Sequence, residues 1–266
     1  MSERGPLIVI GGKEDKEGDR EILTRVARHV GEGRLVVATV ASQIPDEYFA
    51  EYRRTFAELG VENVAELYVD ERLEASDPEK LECFEGARGV FFTGGDQLRI
   101  ASQIGDTPVE RAVRNVWETG GVIAGTSAGA SVMSEIMLVR GTSAESHRIG
   151  DLQLASGLGL IRDVIIDQHF AERGRIGRLI GAVTQNPRVL GIGVDEDTAF
   201  VLEGDCLRVV GAGAVYIVDG EGITHSNIAE ADKDSALSVY DVRLQVLGAG
   251  DAFDLQSRRP IPGKRA

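Results

Sequence analysis

Short apolar runs alternate along the chain with longer amphipathic stretches. The runs are Pro6 to Ile10, Leu35 to Val40, Val64 to Val69 (interrupted by Glu66), Gly89 to Thr93, Gly121 to Ala124 and Val164 to Ile166. Between them, Asp19 to Val30, Asp46 to Leu59, Val109 to Glu118 and Arg175 to Thr184 repeat Leu, Val, Ile or Ala at three- and four-residue spacing, which predicts helices. The order is β-α-β-α. Strands that read as continuous apolar runs, without polar alternation, are buried on both faces, so a mostly parallel sheet flanked by helices on both faces is expected.

After about Val189 the pattern becomes strand-rich, at Val189 to Ile192, Ala199 to Leu202, Leu207 to Val210, Ala214 to Val218 and Leu237 to Leu247, with glycine turns between several of them. These C-terminal strands are expected to be antiparallel and to extend the same sheet. No Pro/Ser-rich linker divides the halves, so a single α/β domain over residues 1–266 is expected.

Gly121-Val122-Ile123-Ala124-Gly125-Thr126-Ser127-Ala128-Gly129-Ala130 reads as buried strand, tight turn and small-residue helix start, the context a nucleophile elbow requires. A serine on a strained turn needs neighbours without bulk, which Gly125, Ala128 and Gly129 supply. The helix N-terminus adds a positive field where an oxyanion would form. The same residues could serve only to pack a helix closely on a sheet.

A nucleophilic serine needs a base, and the chain has four histidines. His29 lies in an amphipathic helix and His225 in a polar turn, and both read as surface residues. His147 falls in the polar stretch 141–150. His169 instead ends a buried run, Asp163 to Ile166, and open α/β sheets present their binding residues at strand C-terminal ends. A base in turn needs an orienting carboxylate. Asp195-Glu196-Asp197 ends another strand, and in extended chain Glu196 points away from its two neighbours. Glu145 is the rival acid. Gly94-Gly95-Asp96-Gln97 follows the strand Gly89 to Thr93, so N–H groups of that turn, at Gly95 and Asp96, could join that of Ala128 in an oxyanion hole, with Gln97 placed to touch substrate. Arg173, Arg175 and Arg178 crowd a helix start, where positive charge opposes the macrodipole, and this suggests recognition of a carboxylate by guanidinium forks.

Charge narrows the partners. The 266 residues carry 29 Lys+Arg against 43 Asp+Glu, a formal −14, which argues against binding to a nucleic-acid backbone or an anionic membrane. No apolar run reaches the roughly 18 residues of a membrane span, and Met1 to Gly5 leads into the first strand without a signal-peptide pattern, so a cytoplasmic location is expected. Cys83 and Cys206 form neither a disulfide framework nor a ligand pair, and no metal or organic cofactor is implied.

These stretches together resemble the cyanophycinase family, serine peptidases related to dipeptidase E within the class I glutamine-amidotransferase-like superfamily. The resemblance runs from Ile8-Val9-Ile10-Gly11-Gly12-Lys13-Glu14-Asp15-Lys16 through Gly94 to Gln97, Gly125 to Ala130 and Asp167-Gln168-His169-Phe170 to Gly191 to Glu196. It also takes in the terminal Asp251 to Leu255 and Arg258-Arg259-Pro260. It implies a flavodoxin-like α/β fold, a homodimer, and hydrolysis of cyanophycin, a polyaspartate carrying arginine on each side-chain carboxyl, to β-Asp-Arg dipeptides. It assigns Ser127 as nucleophile, His169 as base and Glu196 as third member, with Glu145 still open, and places Gln97, Asp167, Gln168, Arg173, Arg175 and Arg178 at the substrate. A dipeptidase acting on small aspartyl peptides and a non-catalytic homologue are the alternatives. A glutamine amidotransferase would need a cysteine at the elbow, and a Rossmann dinucleotide binder a Gly-x-Gly-x-x-Gly after the first strand.

Overall fold

The computed structural model describes residues 4–141, 152–230, 232 and 235–261. The first half runs β1 (Leu7–Ile10), α1 (Glu21–Val30), β2 (Arg34–Ala38), α2 (Pro45–Glu58), β3 (Val64–Leu67), α3 (Pro78–Leu81), β4 (Ala87–Phe92), α4 (Gln97–Ile104), α5 (Pro108–Glu118), β5 (Val122–Thr126) and α6 (Ala128–Ser131). The second half runs β6 (Ile136–Arg140), β7 (Gln153–Ser156), β8 (Val164–Gln168), α7 (Ile176–Gln185), β9 (Leu190–Val194), β10 (Thr198–Glu203), β11 (Cys206–Gly211), β12 (Val215–Asp219), β13 (His225–Ser226), β14 (Val239–Tyr240), β15 (Arg243–Leu247), β16 (Ala252–Asp254) and β17 (Arg259–Ile261).

A nine-stranded sheet is ordered β17-β16-β11-β10-β1-β5-β4-β2-β3. The five strands from β1 to β3 in that order are parallel, and β10, β11, β16 and β17 continue it antiparallel. The strand β1 shows why its sequence is apolar throughout. Ile8 and Ile10 join a core layer with Ile22, Leu23 and Val26 of α1 and Tyr52 and Phe56 of α2. Leu7 and Val9 face the other layer, with Ile100 and Ile104 of α4 and Val113 and Trp117 of α5. Side chains alternate across the sheet, and both faces are covered. The helix α5 is fixed at its start by Thr107, which caps Glu110, by Pro108 at its first position, and by Glu110, which reaches back to the Asp106 N–H.

The C-terminal strands do not all extend that sheet. β8 and β9 pair in parallel, then β12 and β15 add antiparallel, as a separate four-stranded sheet ordered β15-β12-β9-β8. The run Leu237 to Leu247 breaks at Asp241, whose φ of 63° ends one strand before the next begins. The two sheets meet where their strands end: the His169 N–H donates to the Gly11 carbonyl (2.8 Å), and the β1–β10 pairing continues beside it, from the Gly11 N–H to the Thr198 carbonyl (2.9 Å) and from the Asp197 N–H to the Gly12 carbonyl (2.9 Å). That seam brings the ends of β1, β5, β8 and β9 to one place. Among the described residues, no helix is long and apolar enough to cross a membrane.

Candidate active site

Buried β5 delivers Ser127 to a turn before α6, with φ 54° and ψ −111°. Such a conformation costs a non-glycine residue on the order of 1–3 kcal/mol. Its neighbours hold it there. A Cβ on Gly125 would lie 2.3 Å from the Gly129 carbonyl oxygen, and one on Gly129 would lie 2.4 Å from that of Phe92. Strand, turn and helix therefore touch backbone to backbone, and the glycine spacing of the pentapeptide is a consequence. The Ser127 N–H donates to the Ile10 carbonyl (3.0 Å), while its side chain lines a cleft.

His169 directly follows β8, also at positive φ (47°). Its Nε2 lies 3.0 Å from Ser127 Oγ and its Nδ1 2.7 Å from Glu196 Oε1. A proton on Nδ1, shared with the carboxylate, leaves the Nε2 lone pair facing the serine hydroxyl. The ring rests on Gly12 (φ 112°), where a Cβ would come within 2.3 Å of His169 Cε1. The acidic triplet forms the turn between β9 and β10, with Asp197 at φ 46°, so the turn and not extended-chain alternation divides it. Asp195 accepts from the N–H groups of Ala171 (2.9 Å) and Ala214 (3.1 Å), Asp197 accepts from that of Asp15 (2.8 Å), and Glu196 alone meets the histidine. The rival Glu145, like His147, lies outside the described residues.

Burial pushes the His169 pKa down, the Glu196 hydrogen bond opposes it, and the nearby charges of Arg173 and Arg175 add to the lowering, so the ring sits below the ordinary histidine value. For Glu196, burial raises the pKa, but hydrogen bonds from His169 and Lys13 reverse the balance and hold it below the ordinary carboxylate value. Both shifts keep a neutral imidazole beside a charged carboxylate near pH 7. Since a base must be unprotonated to act, kcat/KM is expected to fall only as pH drops through a midpoint below about 6.5, the ordinary histidine value. Arg173→Ala removes a lowering charge and is expected to move that midpoint upward. A pH series of kcat/KM on both proteins checks this, and an unmoved midpoint would contradict it.

The turn after β4 places Gly94 against Ser127: a Cβ there would be 3.5 Å from Ser127 Cβ. Among the described residues, the N–H groups of Gly95 and Ala128 donate to no other group. Asp96 differs from expectation. Its N–H donates to the Ala41 carbonyl (3.0 Å) and its carboxylate caps α4 by accepting from the Leu98 N–H (2.8 Å), so it anchors the turn and has no free donor for an oxyanion.

Ser127 and His169 open into a cleft of about 450 Å³, lined also by Gln97, Gln168, Arg173, Arg175 and Arg178. Gln97 Nε2 is held by the Leu138 carbonyl (3.0 Å). Asp167 belongs behind this lining, not on it. It is 1% exposed, and its carboxylate accepts from Arg175 Nη1 (3.1 Å), Arg178 Nε (2.6 Å) and Arg178 Nη2. A substrate guanidinium would find those oxygens occupied. The carboxylate instead offsets the positive charge gathered at the start of α7, which the macrodipole disfavours. Arg175 also donates to the Gln168 side chain (3.0 Å), while its buried Nε has no partner. Burial pushes its pKa down to about 10 against the opposing pull of Asp167.

A sequence profile described as peptidase family S51 matches residues 7–210. The chain belongs to this family. It is 39% identical over 260 residues to a cyanophycinase of Synechococcus elongatus, covering 96% of this chain and 81% of that protein. Identity is 42% over 260 residues with a cyanophycinase of Trichormus variabilis (96% and 87% covered), and 38% over 264 residues with one of Geminocystis herdmanii (98% and 97%). A crystal structure of a peptidase from an acI-B1 Actinobacterium matches at a TM-score of 0.70 and 25% identity, covering 95% of this chain and 97% of that one. A putative peptidase E protein from Listeria monocytogenes EGD-e shares the fold at a TM-score of 0.56 and 14% identity, covering 79% and 100%. The family and fold expected from the motifs are thus borne out.

Within this S51 chain, sequence reading gave no role to several lining residues. Lys13, Glu14 and Lys16 follow β1, and Tyr52 reaches the cleft from α2. Lys13 Nζ lies 3.1 Å from Glu196 Oε2, on the oxygen that His169 does not use. The available signal was positional: like Ser127 and His169, the segment after β1 lies past the C-terminal end of a parallel strand.

Proposed function

We propose that this S51 peptidase hydrolyses cyanophycin, releasing β-Asp-Arg dipeptides as a serine-type exopeptidase. The observation that carries the reading is the unbroken Ser127–His169–Glu196 hydrogen-bond chain opening into a cleft rich in guanidinium groups. Full-length similarity to proteins named cyanophycinase supports the substrate.

In this reading Ser127 Oγ attacks the scissile backbone carbonyl carbon while His169 Nε2 takes its proton. The Gly95 and Ala128 N–H groups hold the developing oxyanion. Collapse of the tetrahedral intermediate passes the proton from His169 to the leaving nitrogen and leaves an acyl-serine. Water, deprotonated by the same imidazole, then attacks the acyl carbon and releases the product. Glu196 keeps the imidazole oriented and stabilises its protonated form. Arg173, Arg175 and Arg178, with Gln97 and Gln168, hold the polymer's carboxylate and amide groups. The reading includes one domain, a homodimer and a cytoplasmic location; exposed Leu244 and Val246 on the edge strand β15 suit self-association.

The test is incubation of the purified protein with insoluble cyanophycin and, separately, with α- and β-aspartyl dipeptides, with products read by mass spectrometry. β-Asp-Arg released from the polymer is the expected result. Cleavage of small peptides with the polymer intact would instead identify a dipeptidase.

A further inference from the structure

Positive groups dominate the cleft. Lys13, Lys16, Arg173, Arg175 and Arg178 line it, and the sole carboxylate among the described lining residues is that of Glu14. Glu14 is 4% exposed and stands on the segment that leaves β1. Its Oε1 accepts from the Tyr52 hydroxyl (2.5 Å) and its Oε2 from the Thr126 hydroxyl (2.6 Å), both neutral donors. No ion pair among the described residues includes it. The two lysines nearest in sequence are committed elsewhere: Lys13 Nζ pairs with Glu196 Oε2 at 3.1 Å, and Lys16 Nζ lies 4.3 Å above the Tyr52 ring and bonds Glu51 Oε2 at 2.9 Å.

A carboxylate removed from water without a cation is costly, and natural proteins usually pair it. Here two hydroxyls fix its orientation, one on each oxygen, and each oxygen keeps acceptor capacity. Because Thr126 directly precedes Ser127, this acceptor sits beside the nucleophile. The adjoining Asp167 cannot serve, since its oxygens are held by Arg175 and Arg178.

We infer that Glu14 is a specificity-determining residue that receives the cationic side-chain end of the substrate, a guanidinium in the reading proposed above, on which this inference rests. A substrate bearing both carboxylates and a guanidinium then meets complementary groups at each end, and Glu14 supplies what the arginines would repel. Tyr52 and Thr126 act through Glu14 by holding its oxygens in place.

The experiment compares two soluble substrates that differ in one group: a short β-arginyl aspartate oligomer and its citrulline counterpart, isosteric but uncharged. The wild-type kcat/KM is expected to favour the arginine compound roughly 10- to 100-fold, the worth of a hydrogen bond to a charged group. Glu14→Gln, which keeps the shape and one accepting oxygen while the other hydroxyl turns to accept from the amide NH2, is expected to collapse that ratio by tenfold or more. An equal loss on both compounds would overturn the inference in favour of a purely positioning role through Thr126. A wild-type enzyme indifferent to the charge overturns it without any variant, which covers the case of a poorly folding Glu14→Gln. If the wild type cleaves neither compound nor the polymer, the functional reading itself falls, and this inference with it.

Discussion

Replacing Ser127 by alanine is expected to lower kcat on cyanophycin by about 10⁴- to 10⁶-fold, the scale seen when a serine-hydrolase nucleophile is removed. The size follows from the geometry. Ser127 Oγ has one hydrogen-bond partner among the described residues, His169 Nε2 at 3.0 Å, so its loss deletes the attacking atom and little else. The backbone contacts that hold the elbow, from Ser127 N–H to the Ile10 carbonyl and from Ala130 and Ser131 to the Ser127 carbonyl, involve no side chain. Folding and substrate binding should therefore survive, which calorimetric titration of the variant with a short soluble β-arginyl aspartate oligomer can measure beside its turnover. Retained turnover would remove Ser127 from the mechanism, and lost binding would show that the elbow itself had been disturbed.

How far the site was legible depended on whether a residue's role is fixed by its own segment or by a distant one. Ser127 and His169 stood out because each ends a run of continuous apolar residues, and strand ends are where such sheets expose chemistry. Glu196 was singled out by extended-chain alternation, although the triplet is in fact a turn between β9 and β10 in which Asp197 has φ 46°. The parallel half of the main sheet was equally readable, since doubly covered strands such as β1 have no polar face to confuse their period. What stayed hidden was decided across the fold. That Asp96 gives its N–H to Ala41, or that Asp167 lies beneath two arginines, depends on the approach of segments with no common local signal. The split of the C-terminal strands into two sheets was hidden for the same reason: β9 and β10 are adjacent in sequence and similarly apolar, yet β9 pairs with β8 and β12 while β10 pairs with β1 and β11. Glu14 lay in the motif after β1 without a role, because only the tertiary structure shows that it is the one carboxylate among the described lining residues of a cleft that also holds five Lys and Arg side chains.

The second large effect concerns stability. Asp167→Asn is expected to destabilise the fold by about 3–5 kcal/mol, the usual cost of removing one partner from a buried ionic cluster. Asp167 is 1% exposed, and Arg175 and Arg178 are 8% and 6% exposed, so water reaching them from the cleft replaces the lost carboxylate poorly. For a chain of this length that corresponds to a fall in Tm on the order of 10 °C, measurable by calorimetry. An unchanged Tm would mean that the arginines find other partners or solvent, and the lining would then owe nothing to Asp167. A triple variant separates stability from function. Replacing Asp167, Arg175 and Arg178 together by Leu, Met and Leu leaves no buried charge unpaired, and apolar replacement of such clusters is often neutral or stabilising. The expected outcome is a Tm restored toward wild type with turnover of the polymer still lost. A triad kept only for stability would yield the opposite, a stable variant that still cleaves. In the proposed reading Asp167 thus acts on substrate at one remove, by holding the Arg175 and Arg178 guanidinium groups in place along the cleft wall.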